Sequence, residues 1–269
     1  MSRADSSAAS EGRALLTALA DTAPDAATAC EGWTAHDIAA HLAAGAKEVA
    51  DLAEERLAGS PERATRGFDE REAPFRDLPH DQLLPELVEH NKRKLAAYAA
   101  LAGTSEPDIA FTGTRLSVDE LETHSRSEAA IHRWDLVGDD DASTALLSQP
   151  ELTAHALKVL NVMPILNESA RALGERALGS RPGTRLVLRS AGHFDVVFVA
   201  DSTGSRFEIV EEGAAEGDAR VTSDPAQRLL TLWGRRSVER PLETDGDPRL
   251  LTALNDIFWP HVQRWGQKA

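Results

Sequence analysis

The segment SVDELETHSRSEAAIHRWDLVG (residues 117–138) has the pattern of one long helix with a polar group on its buried side. Ser117 and Glu120 form a capping box, and Gly138 ends the pattern. At about 100° per residue, the face centred on Glu128 also carries apolar residues, including Leu121 and Leu136, and is therefore expected to be buried. That face also carries His132, His124, Ile131 and Asp135. The basic residues of the segment lie on the opposite side.

A carboxylate on a buried face needs a partner, because an unpaired buried charge costs several kcal/mol. The first possibility is that Glu128 is paired with a histidine in an internal hydrogen-bonded network. The spacing from Glu128 to His132 does not decide the matter, since other histidines, including His90 and His155, also follow an acid by four residues.

A second helix supplies another histidine. Thr34 and Asp37 make a capping box before a helix expected to continue to about Leu57, and His41 falls on its apolar face. Two imidazoles and one carboxylate from two helices are a ligand set that zinc and neighbouring divalent metals accept, with an open position for chemistry. The sequence therefore predicts His41, Glu128 and His132 as metal ligands, as the alternative to a structural network.

Outer groups are expected around these ligands. Asp37 and Asp135 are candidates to orient the imidazoles, although capping of the helix favours a surface role for Asp37. His124 is a candidate fourth ligand or general base, against the alternative of a polar residue nearer the end of the bundle.

The pattern along the chain predicts an α+β protein of two domains. Helices with a 3.6-residue period are expected at about residues 8–20, 34–57, 80–101 and 117–138, with a charged loop at 59–79 and a fifth helical stretch at about 151–178. Residues 1–180 then form a four-helix bundle with a linking helix. Residues 181–269 change to a two-residue period, which predicts a small domain with an antiparallel sheet. Four strands are expected there, TRLVLRS, HFDVVFVA, SRFEIVE and GDARVTS, followed by two helices that each begin with Asp-Pro.

Composition narrows the class of partner. The 269 residues carry 44 acidic and 29 basic side chains, a net charge of -15, which disfavours nucleic acid and anionic membranes. One cysteine, Cys30, excludes an internal disulfide framework and is typical of the cytoplasm. The N-terminus lacks the basic and apolar regions of a signal peptide, and no stretch is long enough to span a membrane, so we expect neither export nor membrane insertion.

The segments CEGWTAHDIAAHLA (residues 30–43) and ELETHSRSEAAIHRWDLVG (120–138) resemble the metal-binding domain of mycothiol-dependent maleylpyruvate isomerases, a branch of the DinB-like four-helix bundles. ARVTSDPAQRLLTLWGRRSVE (219–239) resembles the same family's C-terminal domain, which is similar to sterol carrier proteins. The resemblance covers almost the whole chain. It implies the same three metal ligands, with zinc as the first choice of cation. It also implies a role in activity for Arg235, although the adjacent Arg236 fits the motif too. An arginine can bind a carboxylate with two hydrogen bonds, but both could instead end a helix in solvent.

The resemblance implies mycothiol as the thiol cosubstrate. A divalent cation lowers the pKa of a bound thiol, so the thiol would bind as the thiolate at neutral pH. An isomerase would add the thiolate to the cis double bond of an unsaturated acid, allow rotation and eliminate it again. An S-transferase would leave the thiol attached to a small-molecule electrophile. Two other classes stay open: a metal-dependent hydrolase with His124 as base, and a binding protein without catalysis.

Overall fold

The computed structural model describes residues 3–178 and 183–259, within which the chain forms helices and strands in two compact units. The helices are α1 (Arg3–Asp21), α2 (Ala35–Leu57), α3 (Phe68–Arg76), α4 (His80–Ala102), α5 (Val118–Val137), α6 (Asp141–Leu147), α7 (Pro150–Val162), α8 (Pro164–Leu178), α9 (Pro225–Leu232) and α10 (Pro248–Phe258). The strands are β1 (Asp108–Phe111), β2 (Thr114–Ser117), β3 (Thr184–Arg189), β4 (Asp195–Asp201), β5 (Gly204–Val210), β6 (Ala219–Ser223) and β7 (Leu242–Gly246).

The N-terminal unit ends at Val137 and is a bundle of the four long helices α1, α2, α4 and α5. Helix α2 packs against α4, and α1 against α5. Alanines of α2 lie on the buried face beside larger side chains from the neighbouring helices, so the helices approach closely around a core that includes Leu19, Ile38, Ala43, Leu83 and Leu87. The four predicted helices are confirmed.

Both helices that carry the candidate ligands begin as the sequence predicts. The Thr34 hydroxyl accepts from the backbone N–H of Asp37, whose carboxylate accepts from the backbone N–H of Thr34 at 2.8 Å. Glu120 accepts in the same way from the Ser117 N–H at 2.8 Å, while its own N–H donates to the Ser117 hydroxyl. These caps fix the first turns of α2 and α5, and the carboxylate of Asp37 serves in capping.

The C-terminal unit begins at Gly138 and contains a five-stranded sheet in the order β5-β4-β3-β6-β7. The four strands predicted from the sequence are present, and β3, β4 and β5 pair antiparallel. The sheet is nevertheless mixed, because β6 lies parallel to β3. Asp224 and Asp247 cap α9 and α10, as the two Asp-Pro pairs predict.

The division between the units differs from the boundary expected near residue 180. Residues 138–178 pack with the sheet: α7 contacts β5, and α8 contacts β4 and β5. The side chain of Asn161 exchanges two hydrogen bonds with the backbone of Phe207, at 2.9 and 2.8 Å. The expected linking helix is also two helices, because Pro164 lacks the N–H that an uninterrupted helix requires.

Two further differences lie in the N-terminal unit. The segment predicted as a charged loop contains α3, and the connector before α5 contains the β1–β2 hairpin. Among the described residues, no helix combines the length and the hydropathy that a membrane span requires.

Candidate metal centre

The structure brings the three predicted ligand residues together. Nε2 of His41 on α2 lies 3.2 Å from Oε2 of Glu128 on α5, and Nε2 of His132 lies 3.5 Å from the same oxygen. One potential ligand atom from each residue lies within 4.8 Å of the other two. The site thus joins two helices whose ligand residues His41 and Glu128 lie 87 positions apart in the chain.

A carboxylate holds the far side of each imidazole. Nδ1 of His41 lies 2.7 Å from Oε1 of Glu72, and Nδ1 of His132 lies 2.9 Å from Oδ2 of Asp135. Both carboxylates are buried, with side-chain exposures of 1% and 0%. Because a carboxylate accepts hydrogen bonds, Nδ1 of each ring donates to its carboxylate, and Nε2 of each ring faces Glu128.

This donor set fits a divalent cation. Ligand atoms about 2.1 Å from a tetrahedral ion lie about 3.4 Å apart, close to the 3.2 and 3.5 Å separations between Glu128 and the two imidazoles. With both imidazoles neutral, the two Nε2 atoms and the ionised carboxylate are all acceptors, so a positive charge must lie between them to make the cluster favourable.

In the absence of a cation, a proton supplies that charge. Burial lowers the pKa of His41, but hydrogen bonds to Glu128 and Glu72 outweigh burial and raise it to about 9. Burial likewise opposes ionisation of Glu128, yet hydrogen bonds from His132 and His41 hold the pKa of Glu128 well below its usual range. The internal hydrogen-bonded network considered from sequence is therefore the protonated form of this same cluster.

Aromatic rings border the cluster. The Trp33 ring stacks on that of His132 with centroids 6.1 Å apart, and lies 5.2 Å from that of His41. The Phe68 ring, from α3, lies 6.1 Å from the ring of His41. These contacts restrict rotation of both imidazoles and limit the access of water on those sides.

His124 lies on α5 one turn before Glu128, outside the group of three that shares a cation-sized space. Its ring meets that of Phe111 edge-on at 5.8 Å. Burial lowers the pKa of His124, so its imidazole is neutral at neutral pH and able to accept a proton.

Arg235 and Arg236 lie in the C-terminal unit, just after α9. Nη1 of Arg235 donates to the carbonyl of Trp233 at 2.8 Å, and the carbonyl of Arg235 accepts from the indole of Trp259. The guanidinium of Arg236 lies 5.1 Å from the centre of the Trp259 ring. The two arginines therefore have different surroundings, although they are adjacent in sequence.

Sequence reasoning missed Glu72 and the rest of α3. The signal was weak, because Pro74 lies within the segment and its charges are typical of a loop. A glycine, Gly67, followed by two acids at the start of α3 is the feature that could have revealed a helix.

Comparison with known proteins agrees with this architecture. A family described as "Mycothiol maleylpyruvate isomerase N-terminal domain" matches residues 6–137, which correspond to the N-terminal unit. No curated protein matches the chain in sequence.

Two crystal structures of a mycothiol-dependent maleylpyruvate isomerase are similar in fold, and one of them carries a histidine-to-alanine substitution. They have TM-scores of 0.56 and 0.55 at 16% and 17% identity, and each match covers 88% of this chain and 90% of the other. The N-terminal domain of this chain, residues 6–137, therefore belongs to the mycothiol maleylpyruvate isomerase N-terminal domain family.

Proposed function

We propose that the protein is a metal-dependent enzyme that uses mycothiol as its thiol cosubstrate. Its reaction is either the cis–trans isomerisation of an unsaturated acid of the maleylpyruvate type or the transfer of the thiol to a small electrophile. The family supports the thiol, and the similar crystal structures are named for the isomerisation. We place this activity in the cytoplasm, in keeping with the single cysteine of the chain.

One observation carries the metal part of the proposal. Both imidazoles have Nδ1 held by a buried carboxylate and Nε2 facing the same oxygen of Glu128. A carboxylate behind each ligand histidine is the usual support of a metal site, since it fixes the ring and raises its basicity. We assign His41, Glu128 and His132 as the ligands, and zinc as the first cation to test.

A divalent cation at this site would lower the pKa of a thiol so that it is ionised at neutral pH. The residues of the chain have separate tasks. Glu72 and Asp135 orient the ligand imidazoles, and the rings of Trp33 and Phe68 limit the access of water.

We assign proton transfer to His124, because its burial favours the neutral, proton-accepting imidazole. We also retain Arg235, the motif arginine of the C-terminal unit, as a candidate ligand of a substrate carboxylate. Turnover by the single variants Arg235→Gln and Arg236→Gln, measured separately, distinguishes the roles of the two adjacent arginines.

The test of this proposal is turnover by zinc-loaded protein, with maleylpyruvate for isomerisation and a chloro-dinitrobenzene electrophile for transfer, each with and without mycothiol. We expect turnover that requires the thiol and is lost in His41→Ala. His90→Ala is the matched control, because His90 also pairs with a glutamate four residues upstream, Glu86, but lies outside the cluster.

Other outcomes decide against the proposal. Hydrolysis of simple esters without thiol would favour a metal-dependent hydrolase. Zinc-free protein that binds small molecules without turnover would favour a binding protein.

A further inference from the structure

Arg71 is a buried cation beside the metal centre. It is next to Glu72 on α3, and the residue is only 8% exposed. Its guanidinium lies 4.3 Å from the centre of the Phe68 ring, which in turn stacks against the ring of His41. Arg71 therefore reaches the same side of the bundle as the ligand cluster.

The guanidinium of Arg71 forms no hydrogen bond or ion pair within the residues that the structure describes, and its Nε is buried without a partner. The charges of Glu72, Glu48 and Glu128 all act on it. A guanidinium offers five donors in a planar fork, so most of the binding capacity of this side chain is unused.

The two buried glutamates whose charges act on Arg71 are occupied elsewhere. Glu72 accepts from His41 at 2.7 Å and from Arg76 at 2.5 Å. Glu48 accepts from the guanidinium groups of Arg63 and Arg66 at 2.7 and 2.6 Å.

The third carboxylate, Glu128, faces the two ligand imidazoles. No carboxylate in the described part of the chain is thus left to neutralise Arg71 by direct contact.

A second buried cation interacts electrostatically with Glu128. Lys94 on α4 is 8% exposed, and its Nζ donates to the hydroxyl of Ser125 at 3.1 Å. The charge of Glu128 acts on Lys94 as well as on Arg71. Two buried cations that both act on the carboxylate of Glu128 raise the positive potential at that carboxylate, which favours an anionic ligand beside it.

Burial disfavours the charged form of both cations. Burial lowers the pKa of Arg71, and it lowers that of Lys94 to about 8. Burying the charge of Arg71 without a partner destabilises the fold, so this side chain is better explained by a ligand that completes it than by a contribution to stability.

We propose that Arg71 binds a carboxylate group of the substrate beside the metal centre, with Lys94 adding positive potential. The substrate class is a small carboxylic acid whose carboxylate enters from the N-terminal unit's own surface. This inference rests on the proposed function and adds a specificity-determining residue that the sequence analysis did not consider. It is separate from the role assigned to Arg235.

Binding of maleate to the zinc-loaded protein, measured by calorimetry, tests the proposal, with neutral maleamide as the uncharged comparison. We expect maleate to bind more tightly than maleamide, and Arg71→Gln to raise the Kd for maleate about tenfold or more, the loss expected for a charge-assisted pair. Arg71→Lys keeps the charge without the fork and should give a smaller rise. Arg115→Gln is the control, because Arg115 is exposed and pairs with Asp108 and Glu62.

The melting temperature of the metal-free protein separates binding from structure. Arg71→Gln should melt at or above the temperature of the wild type, since an unpaired buried charge is removed. An unchanged Kd for maleate in Arg71→Gln, or no binding of maleate by the wild type, would overturn the inference. If Arg71→Gln does not fold, an unchanged Kd for maleate in the neutral variant Arg71→Met has the same meaning. Absence of thiol-dependent turnover alone would count against the proposed function, not against this carboxylate subsite.

Discussion

Replacing Glu72 with glutamine should weaken cation binding although Glu72 is not itself a ligand. The carboxylate of Glu72 accepts two hydrogen bonds at once, from Nδ1 of His41 at 2.7 Å and from Arg76 at 2.5 Å. A glutamine of the same shape has one acceptor oxygen, so its amide NH₂ must face either His41 or Arg76. Either arrangement places two donors against each other in a position that is only 1% exposed.

The size of the effect follows from the role of such supporting carboxylates, whose loss typically lowers metal affinity 10–100-fold, or about 1.4–2.7 kcal/mol. We expect Glu72→Gln to raise the Kd for zinc by that factor in competition with a colorimetric chelator at pH 7.5. Glu70→Gln is the matched control, since Glu70 lies on the same helix and is exposed. Equal zinc affinity in Glu72→Gln and wild type, or an equal loss in Glu70→Gln, would refute the reasoning.

Four further predictions concern protons, buried charge and the boundary between the units. Zinc binding at pH 7.5 should release about one proton, because hydrogen bonds to Glu128 and Glu72 raise the pKa of His41 to about 9 in the metal-free protein. Calorimetry in two buffers of different ionisation enthalpy measures the number of protons released, and a value of zero would contradict this prediction. The same shift implies that the metal-free protein loses stability as the pH rises from 6.5 through about 9, where the folded state gives up the proton of His41. Lys94→Met should raise the free energy of unfolding at pH 7 by up to about 3 kcal/mol. Burial lowers the pKa of Lys94 to about 8, so below that pH the folded wild type carries the cost of a buried charge. A free energy of unfolding below that of the wild type, measured in urea titrations, would contradict this prediction. A fragment of residues 138–269 should unfold cooperatively and one of residues 181–269 should not, because only the longer one retains α7 and α8 against the sheet; circular dichroism during thermal melts distinguishes them.

The part of the site that sequence predicts best depends on local rules. Capping boxes place the starts of α2 and α5, and the helical period then puts His41, Glu128 and His132 on inward faces. The contact of Asp135 with His132 is also local, because the two residues lie three apart on one helix.

The parts that sequence missed depend on contacts between distant segments. Glu72 meets His41 only because the short helix α3 packs against α2, and nothing periodic in nine charged and apolar residues reveals that packing. The parallel pairing of β6 with β3 likewise follows a crossover that alternation along one strand cannot show.

His90 illustrates the limit of spacing as a guide. It pairs with Glu86 across one helical turn at 3.2 Å, as His132 does with Glu128 at 3.5 Å. The difference is the third side chain, since His41 arrives from another helix and a carboxylate supports each imidazole.

The metal content of the purified protein tests the central claim most directly. After loading with zinc and removal of the excess, elemental analysis should find about one ion per chain in the wild type and in His90→Ala, and almost none in His41→Ala or His132→Ala with their helical circular dichroism retained. Zinc at one ion per chain in both His41→Ala and His132→Ala, or no zinc in the wild type, would contradict the account.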